Sequence, residues 1–206
     1  RLRARAAWIN PLVLTAIYLA DAAIILLAEG SGSWWIRAAA LIPIAILQDH
    51  LLVLQHEGAH YLLHPRRKII VSLTDFFCSF PLLGSVGLYR YFHLEHHRHL
   101  QDPDLDPEVG FYKEQGHTYA PQAARKVWRN LALDVCGYRY FQYFFSLYGY
   151  VIREVRAGQF PRLAPATAKR LCVFALVAAT TTWVVGPILL FYWLVPQPTF
   201  FFLLTK

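Results

Sequence analysis

The feature that most limits how this chain can fold is a pair of long apolar runs separated by a short break. Trp8 to Ala28 carries a single charge, Asp21, and its length matches the ~20 residues a helix needs to cross a bilayer. The break, Glu29-Gly-Ser-Gly-Ser33, is too short for anything but a hairpin turn. Trp34 and Trp35 then open a second run reaching about Leu54, and paired Trp suits the membrane–water boundary. Backbone N–H and C=O groups find no water in lipid, so both runs are expected as helices. Composition agrees: 56% of residues are hydrophobic and 16% charged, where an average soluble domain is roughly 25% charged. That argues against a disordered chain, a nucleic-acid arm and a disulfide-stapled secreted module.

The second helix is expected to outrun the lipid. From Trp34 to His60 it would extend ~40 Å at ~1.5 Å per residue, against a hydrocarbon core of ~30 Å. Its end therefore projects at the membrane surface, where Pro65 closes it, and Pro43 is a candidate kink. Ile69 to Tyr89 is long enough to span but is interrupted by Asp75, Pro81, Gly84 and Gly87. An uncompensated Asp at a helix centre costs ~2.5–3.5 kcal/mol on insertion scales, so this stretch reads as interfacial or re-entrant. Residues 90–133 are polar, and Tyr138 to Ile152 is aromatic with an uncharged core too short to span, which suits the interface. Leu171 to about Val195 reads as a third span. Pro196-Gln-Pro198 is then expected to turn the chain into a fourth, opening at Thr199 and cut at Lys206. The spans thus fall at about 8–28, 34–60 and 171–195, with a start at 199–206, in one incomplete domain.

The net charge of +7 comes from 20 Lys and Arg against 13 Asp and Glu. Its placement excludes nucleic acid as the partner, because the basic residues flank apolar runs instead of forming a stripe with stacking aromatics. Arg1, Arg3 and Arg5 precede the first run, Arg66, Arg67 and Lys68 follow the second, and Lys169 and Arg170 precede the third. Only Arg37 lies near the 29–33 loop. The positive-inside rule therefore puts the N-terminus and residues 64–170 on the cytoplasmic side of a membrane, expected to be a bacterial inner membrane. Cys78, Cys136 and Cys172 show no CxxC spacing and read as small buried hydrophobes in a reducing compartment. The chain begins at Arg1 and has no Met, which reads as an internal fragment.

Nine histidines are spread unevenly. In His56-Glu-Gly-Ala-His60 the i and i+4 imidazoles share a helix face, and in His93-Leu-Glu-His96-His97 the i, i+3 and i+4 imidazoles converge. Both clusters can serve one site only if they lie on the same side of the membrane, which holds if Ile69 to Tyr89 does not cross. Imidazole suits iron, zinc or copper, and a pure-His set without Cys points to oxygen chemistry. The first cluster alone is also HExxH, the zinc protease signature. An intramembrane zinc metalloprotease would need an acidic ligand on a later span, and Leu171 to Val195 holds none.

Taken together, His56/His60, Tyr89-Arg-Tyr-Phe-His-Leu-Glu-His-His97 and the following Arg98-His-Leu-Gln-Asp-Pro-Asp104 resemble the membrane fatty acid desaturase family over nearly the whole chain. The resemblance implies an all-α integral membrane fold: a four-helix transmembrane bundle, here with its fourth helix truncated, a cytoplasmic helical cap and interfacial helices. It implies two iron ions held by His56, His60, His93, His96 and His97, with O₂ as co-substrate and no catalytic residue apart from the metal centre. The reaction would insert a cis double bond into a lipid acyl chain, with acyl or carotenoid hydroxylation or ketolation as the alternative of the same type. Electrons would come from a ferredoxin, rubredoxin or cytochrome b5-type donor, since no nucleotide-binding glycine loop or haem-binding segment is visible. The family's third histidine box has no counterpart here, so residues 1–206 alone are expected to bind iron weakly and to show no turnover.

Three carboxylates are candidates for outer support of the ligands. Asp49 lies almost on the His56 face, about two turns deeper, with pairing to Arg37 or His50 as the plainer reading. Asp102 and Asp104 could orient imidazoles, although Asp102 and Asp106, each before Pro, also fit turn or helix starts. His50 faces away from His56, His117 is isolated, and Pro65 ends the helix that would bring His64 in. His99 is spaced to extend its box. Glu57 and Glu95 are expected to point off the metal towards the cap. Arg66, Arg67 and Lys68 are explained by topology, with a phosphate-bearing acyl carrier as the alternative.

Overall fold

A helix apolar on every side must be buried in protein or lipid, and the second apolar run becomes the axis of the molecule in this way. It forms α2, Trp34–Ala59, which passes through Pro43 without ending and buries Ala40, Ile44, Gln48, Leu51, Gln55 and Gly58. Those positions recur at three- and four-residue intervals and so share a face. The preceding helix α1, Leu2–Gly30, turns back on it through Gly32, whose φ of +64° suits a residue without a side chain. Leu14, Ile17, Asp21 and Ala28 of α1 are buried. Glu29 ties the hairpin shut by an ion pair with Arg37 at 3.0 Å. The computed structural model describes residues 2–114, 121–158 and 165–205, and no strand occurs among them. Ile9–Gly30, Trp34–Ala59 and Pro165–Val185 are long and apolar enough to cross a membrane. The chain is an all-α membrane protein.

The stretch from Ile69 to Tyr89 contains no spanning helix. Helix α3, Arg67–Thr74, loosens into a π-helical turn over Asp75–Ser79, and α4 starts afresh at Val86 and runs to Arg98. Irregular backbone inside an apolar bundle is tolerated only where protein satisfies it, and here side chains do so. The Tyr18 hydroxyl donates to the Phe77 carbonyl at 2.7 Å. Trp193 Nε1 and Gln197 Nε2 both donate to the Pro81 carbonyl, at 2.7 and 3.0 Å. Asp75, an obstacle to insertion when alone, accepts the Val86 N–H at 2.8 Å and pairs with Arg170 at 2.7 Å.

The second half corrects the expected spans. The helix α8, Pro165–Val185, stops ten residues short of Val195. Gly186, at φ +112°, makes the turn, and Pro187 behind it disfavours helix at that position. The next helix, α9, covers Ile188–Leu194 and continues through a π-helical turn at Gln197–Phe201 into α10, Phe202–Leu204. The fourth apolar helix therefore begins at Ile188, not Thr199, and Pro196 and Pro198 lie within it. It packs into the bundle: Tyr192 is fully buried and donates to Glu29 at 2.7 Å, and Gln48 Nε2 donates to the Trp193 carbonyl at 2.9 Å. By contrast, α8 has no buried residue among those described and meets the rest through Arg170 and through Phe174 against Phe76 and Phe80.

The remaining helices are α5 (Pro107–Glu114), α6 (Ala124–Val135) and α7 (Tyr138–Arg156). On α7, Phe141, Phe145, Tyr148, Ile152 and Val155 stay exposed along one face, the pattern of a helix that meets an apolar environment sideways.

Candidate metal centre

The end of α2 and the middle of α4 meet through their histidines. His56 lies in the last turn of α2 and His60 is its C-cap. His93 and His97 stand one turn apart on α4. One nitrogen from each of these four side chains lies within 4.8 Å of the others. His93 is the common neighbour: its Nε2 is 2.9 Å from His60 Nε2 and 2.9 Å from His97 Nε2. Tyr89, one turn earlier, stacks on its ring at 5.2 Å.

Those contacts make poor hydrogen bonds and good metal geometry. A neutral imidazole nitrogen is either a donor with one proton or an acceptor, so His93 Nε2 has little use for two imidazole neighbours. Two nitrogens each ~2.1 Å from one metal ion at a right angle lie ~3.0 Å apart. His93 is buried, and its Nδ1 has no partner. Burial, then the neighbouring histidines His56, His97, His60 and His96, push its pKa down to about 4. Burial and the same crowding lower that of His60. Both rings are thus neutral at pH 7, the form that binds a metal. The residues fit a resident cation.

His96 is held differently. Its Nδ1–H donates to both oxygens of Asp106 at 3.0 Å and lies 3.5 Å from Glu108, which leaves Nε2 as the nitrogen for a metal. Its ring is 6.1 Å from that of His93 and 5.8 Å from that of His97. Asp106 also caps α5, accepting the Glu108 N–H at 2.9 Å, with Pro107 as the first helical residue. A further bond comes from the Gln101 N–H at 2.8 Å. Burial alone would raise the Asp106 pKa, but these bonds outweigh it and hold the carboxyl below its usual range. Glu108 goes the other way: burial raises it, only partly offset by His96.

The structure does not bring the expected carboxylates to these rings. Asp102 accepts the N–H groups of Asp104 and Leu105, both at 2.9 Å, a local turn that lowers its own pKa. Asp104 is exposed. Asp49 makes no hydrogen bond to a histidine of the cluster among the described residues, and Arg37 pairs with Glu29 instead. Asp106 and Glu108 were the missed partners; the only signal was an Asp-Pro-Glu start to a helix shortly after the box. Glu57 lies 3.3 Å from His56 Nδ1, and Glu95 pairs with Arg98. His50 donates to the Ile46 carbonyl at 2.8 Å, and His64 accepts the Arg66 N–H at 3.0 Å. His99 lies 3.7 Å from Glu95. His117 and the side chains of Arg1, Arg3 and Arg5 fall outside the described residues.

A cavity of about 380 Å³ opens beside His93 and Glu108, walled by Phe92, Phe111, Tyr143 and Phe202 among others. The model of a family described as fatty acid desaturase matches residues 32–205. The dihydrorhizobitoxine desaturase of Bradyrhizobium elkanii is 34% identical over 109 residues, covering 50% of this chain and 31% of that relative. No solved structure matches the chain.

Proposed function

The chain belongs to the fatty acid desaturase family, and on that premise we propose that it is part of a membrane-bound, O₂-dependent oxidoreductase that inserts a cis double bond into a lipid acyl chain. The observation that carries the reading is the meeting of His56 and His60 with His93 and His97. These four would hold one iron, and His96, oriented by Asp106, would serve a second. Irons held there would supply O₂ activation and cleavage of an unactivated C–H bond.

The chain's own residues do the rest. Neutral His60 and His93 are ready to ligate without first losing a proton. The Asp106 carboxylate fixes the His96 tautomer and the orientation of its ring. The largely aromatic cavity beside His93 offers an apolar chain a place next to the histidine cluster. Removing two hydrogens from adjacent carbons, with two electrons and two protons from outside, reduces O₂ to two waters. A ferredoxin, rubredoxin or cytochrome b5-type protein would deliver the electrons. Lys and Arg placement supports a cytoplasmic position for the histidines.

A zinc protease built on His56, Glu57 and His60 would leave His93 and His97 without a role. Metal analysis and product analysis of the protein expressed from the whole reading frame that contains this chain test the proposal together. Two irons per chain and an O₂-dependent alkene product are expected. Zinc as the bound metal overturns it, and an alcohol or ketone product moves it to the hydroxylase or ketolase alternative.

A further inference from the structure

One side chain reaches across the junction on which the four-histidine cluster depends. Helix α2 ends in a Schellman-type cap: the Leu62 N–H bonds to the Glu57 carbonyl at 2.9 Å and the Tyr61 N–H to that of Gly58 at 3.1 Å. The residue at the Tyr61 position of such a cap adopts a left-handed conformation and is usually Gly. Here it is Tyr at φ +60°, an unfavourable place for a side chain.

What the tyrosine supplies is a platform for Arg90. The guanidinium of Arg90, on α4, lies 3.7 Å from the centre of the Tyr61 ring, and its Nη1 donates to the Tyr61 hydroxyl at 2.6 Å. Its Nε donates to the Ala59 carbonyl at 2.7 Å and its Nη2 to the Gly58 carbonyl at 2.9 Å. Those carbonyls belong to the last turn of α2, which the helix's own ladder leaves short of donors and where a cation is favoured. The fork of Arg meets both at once, which a Lys ammonium cannot reproduce.

The contacts bracket a ligand on each helix. His60 sits between the Ala59 carbonyl that Arg90 grips and the Tyr61 ring it covers. On α4, Arg90 precedes His93 by three residues and His97 by seven, so all three share a face. We propose that Arg90 and Tyr61 form a positioning pair for the metal centre, Arg90 gripping the end of α2 so that His60 is set against His93 and His97. The strained Tyr61 backbone is kept because a glycine there would relax the cap and lose the platform. This rests on the metal-centre reading above and deepens it.

Co(II) titration of the protein expressed from the whole reading frame that contains this chain, purified in detergent, tests the pair, with absorption spectroscopy and chelator competition as readouts and thermal melting of the metal-free protein as the control. Arg90→Lys is expected to weaken Co(II) binding about 10–100-fold and to alter its visible spectrum. Tyr61→Gly is the sharper test, because it removes backbone strain. The ring also packs against the buried cluster that includes Leu63 and Ile70 and lies under Arg67, so strain relief offsets only part of its loss. The metal-free form should melt modestly lower than wild type, while its Co(II) affinity falls over the same range and further than that melting shift accounts for. Should Arg90→Lys fail to fold, Tyr61→Phe, which deletes one hydrogen bond and keeps the ring, is expected to weaken Co(II) several-fold. Wild-type Co(II) affinity in the folded variants, or a loss that only tracks a lower melting temperature, overturns the positioning role. Wild-type protein that takes no Co(II) at all fails the metal-centre reading instead.

Discussion

The histidines of this chain are held by two different kinds of force. His56, His60, His93 and His97 are brought together by the register of α2 against α4, and His93 Nδ1 is left without any partner. Among the described residues, no carboxylate pairs with His60, His93 or His97. His96, a few ångströms away, is fixed by charge from the following segment, through Asp106 and Glu108. The first arrangement depends on how closely two helices pack. The second depends on how a loop folds back to start α5. They should therefore fail separately.

The largest expected effect comes from His93→Ala, since His93 is the neighbour shared by His60 and His97. If the proposed function holds, the protein expressed from the whole reading frame should lose iron from the four-histidine cluster and lose turnover, by metal analysis and product assay. Unchanged iron and turnover would remove the cluster from the chemistry. Asp106→Asn should cost about 10–100-fold in metal affinity or activity, as outer partners of ligating histidines usually do. Asp102→Asn, which touches no histidine, serves as the paired control and should leave both unchanged. Equal effects at 102 and 106 would mean that the loop, not the His96 contact, is what matters.

Sequence spacing made the first arrangement legible and hid the second. Helical periodicity puts His56 with His60 and His93 with His97. The interruptions at Asp75, Pro81 and Gly84 indicate that the chain between them does not span. Choosing among the carboxylates of Asp102 to Glu108 was beyond spacing. It depends on Gln101 taking φ +63° and on Asp106 folding back to accept its N–H, a loop geometry with no periodic signature. The turn at Gly186-Pro187 is another case. Gly before Pro is a turn signal, but it lies within an apolar run that reads as a single span, and Pro196 with Pro198 offered a more conspicuous break. The grip of Arg90 on α2 joins residues far apart in sequence and had no local mark.

Gly58→Ala probes the packing side of the comparison. A methyl group there would fall 2.2 Å from Thr74 Oγ1 and 2.9 Å from its Cβ, so α2 and α3 would have to move apart. Thr74 is fully buried and its hydroxyl is tied to the Ile70 carbonyl at 2.7 Å, which leaves little room to give. Overpacking of this kind costs ~1–3 kcal/mol. Melting of the metal-free variant should show that loss, with weaker metal binding at the four-histidine cluster. A variant with wild-type stability and wild-type metal binding would mean that the α2–α3 contact does not help to set the register of α2 against α4.

The smallest effect is also the one with the clearest sign. Glu108 and Asp106 flank the same ring, yet their acidities shift in opposite directions. Because the Glu108 pKa is raised by folding, its contribution to stability is full below its ordinary 4.5 and is lost as pH rises through the raised value. A neutral glutamine escapes that loss. Glu108→Gln should therefore melt slightly higher than wild type at pH 7 in the metal-free protein, with the gap closing below pH 4.5. Because the Asp106 pKa is lowered, its contribution is present above its ordinary 3.8 and disappears as pH falls through the folded value. Asp106→Asn should melt lower at neutral pH and approach wild type only in stronger acid. Melting curves from pH 3 to pH 8 separate the two. Gaps of the same sign would mean that neither carboxyl is tuned by its place beside His96, and a loop that merely stays folded would explain both.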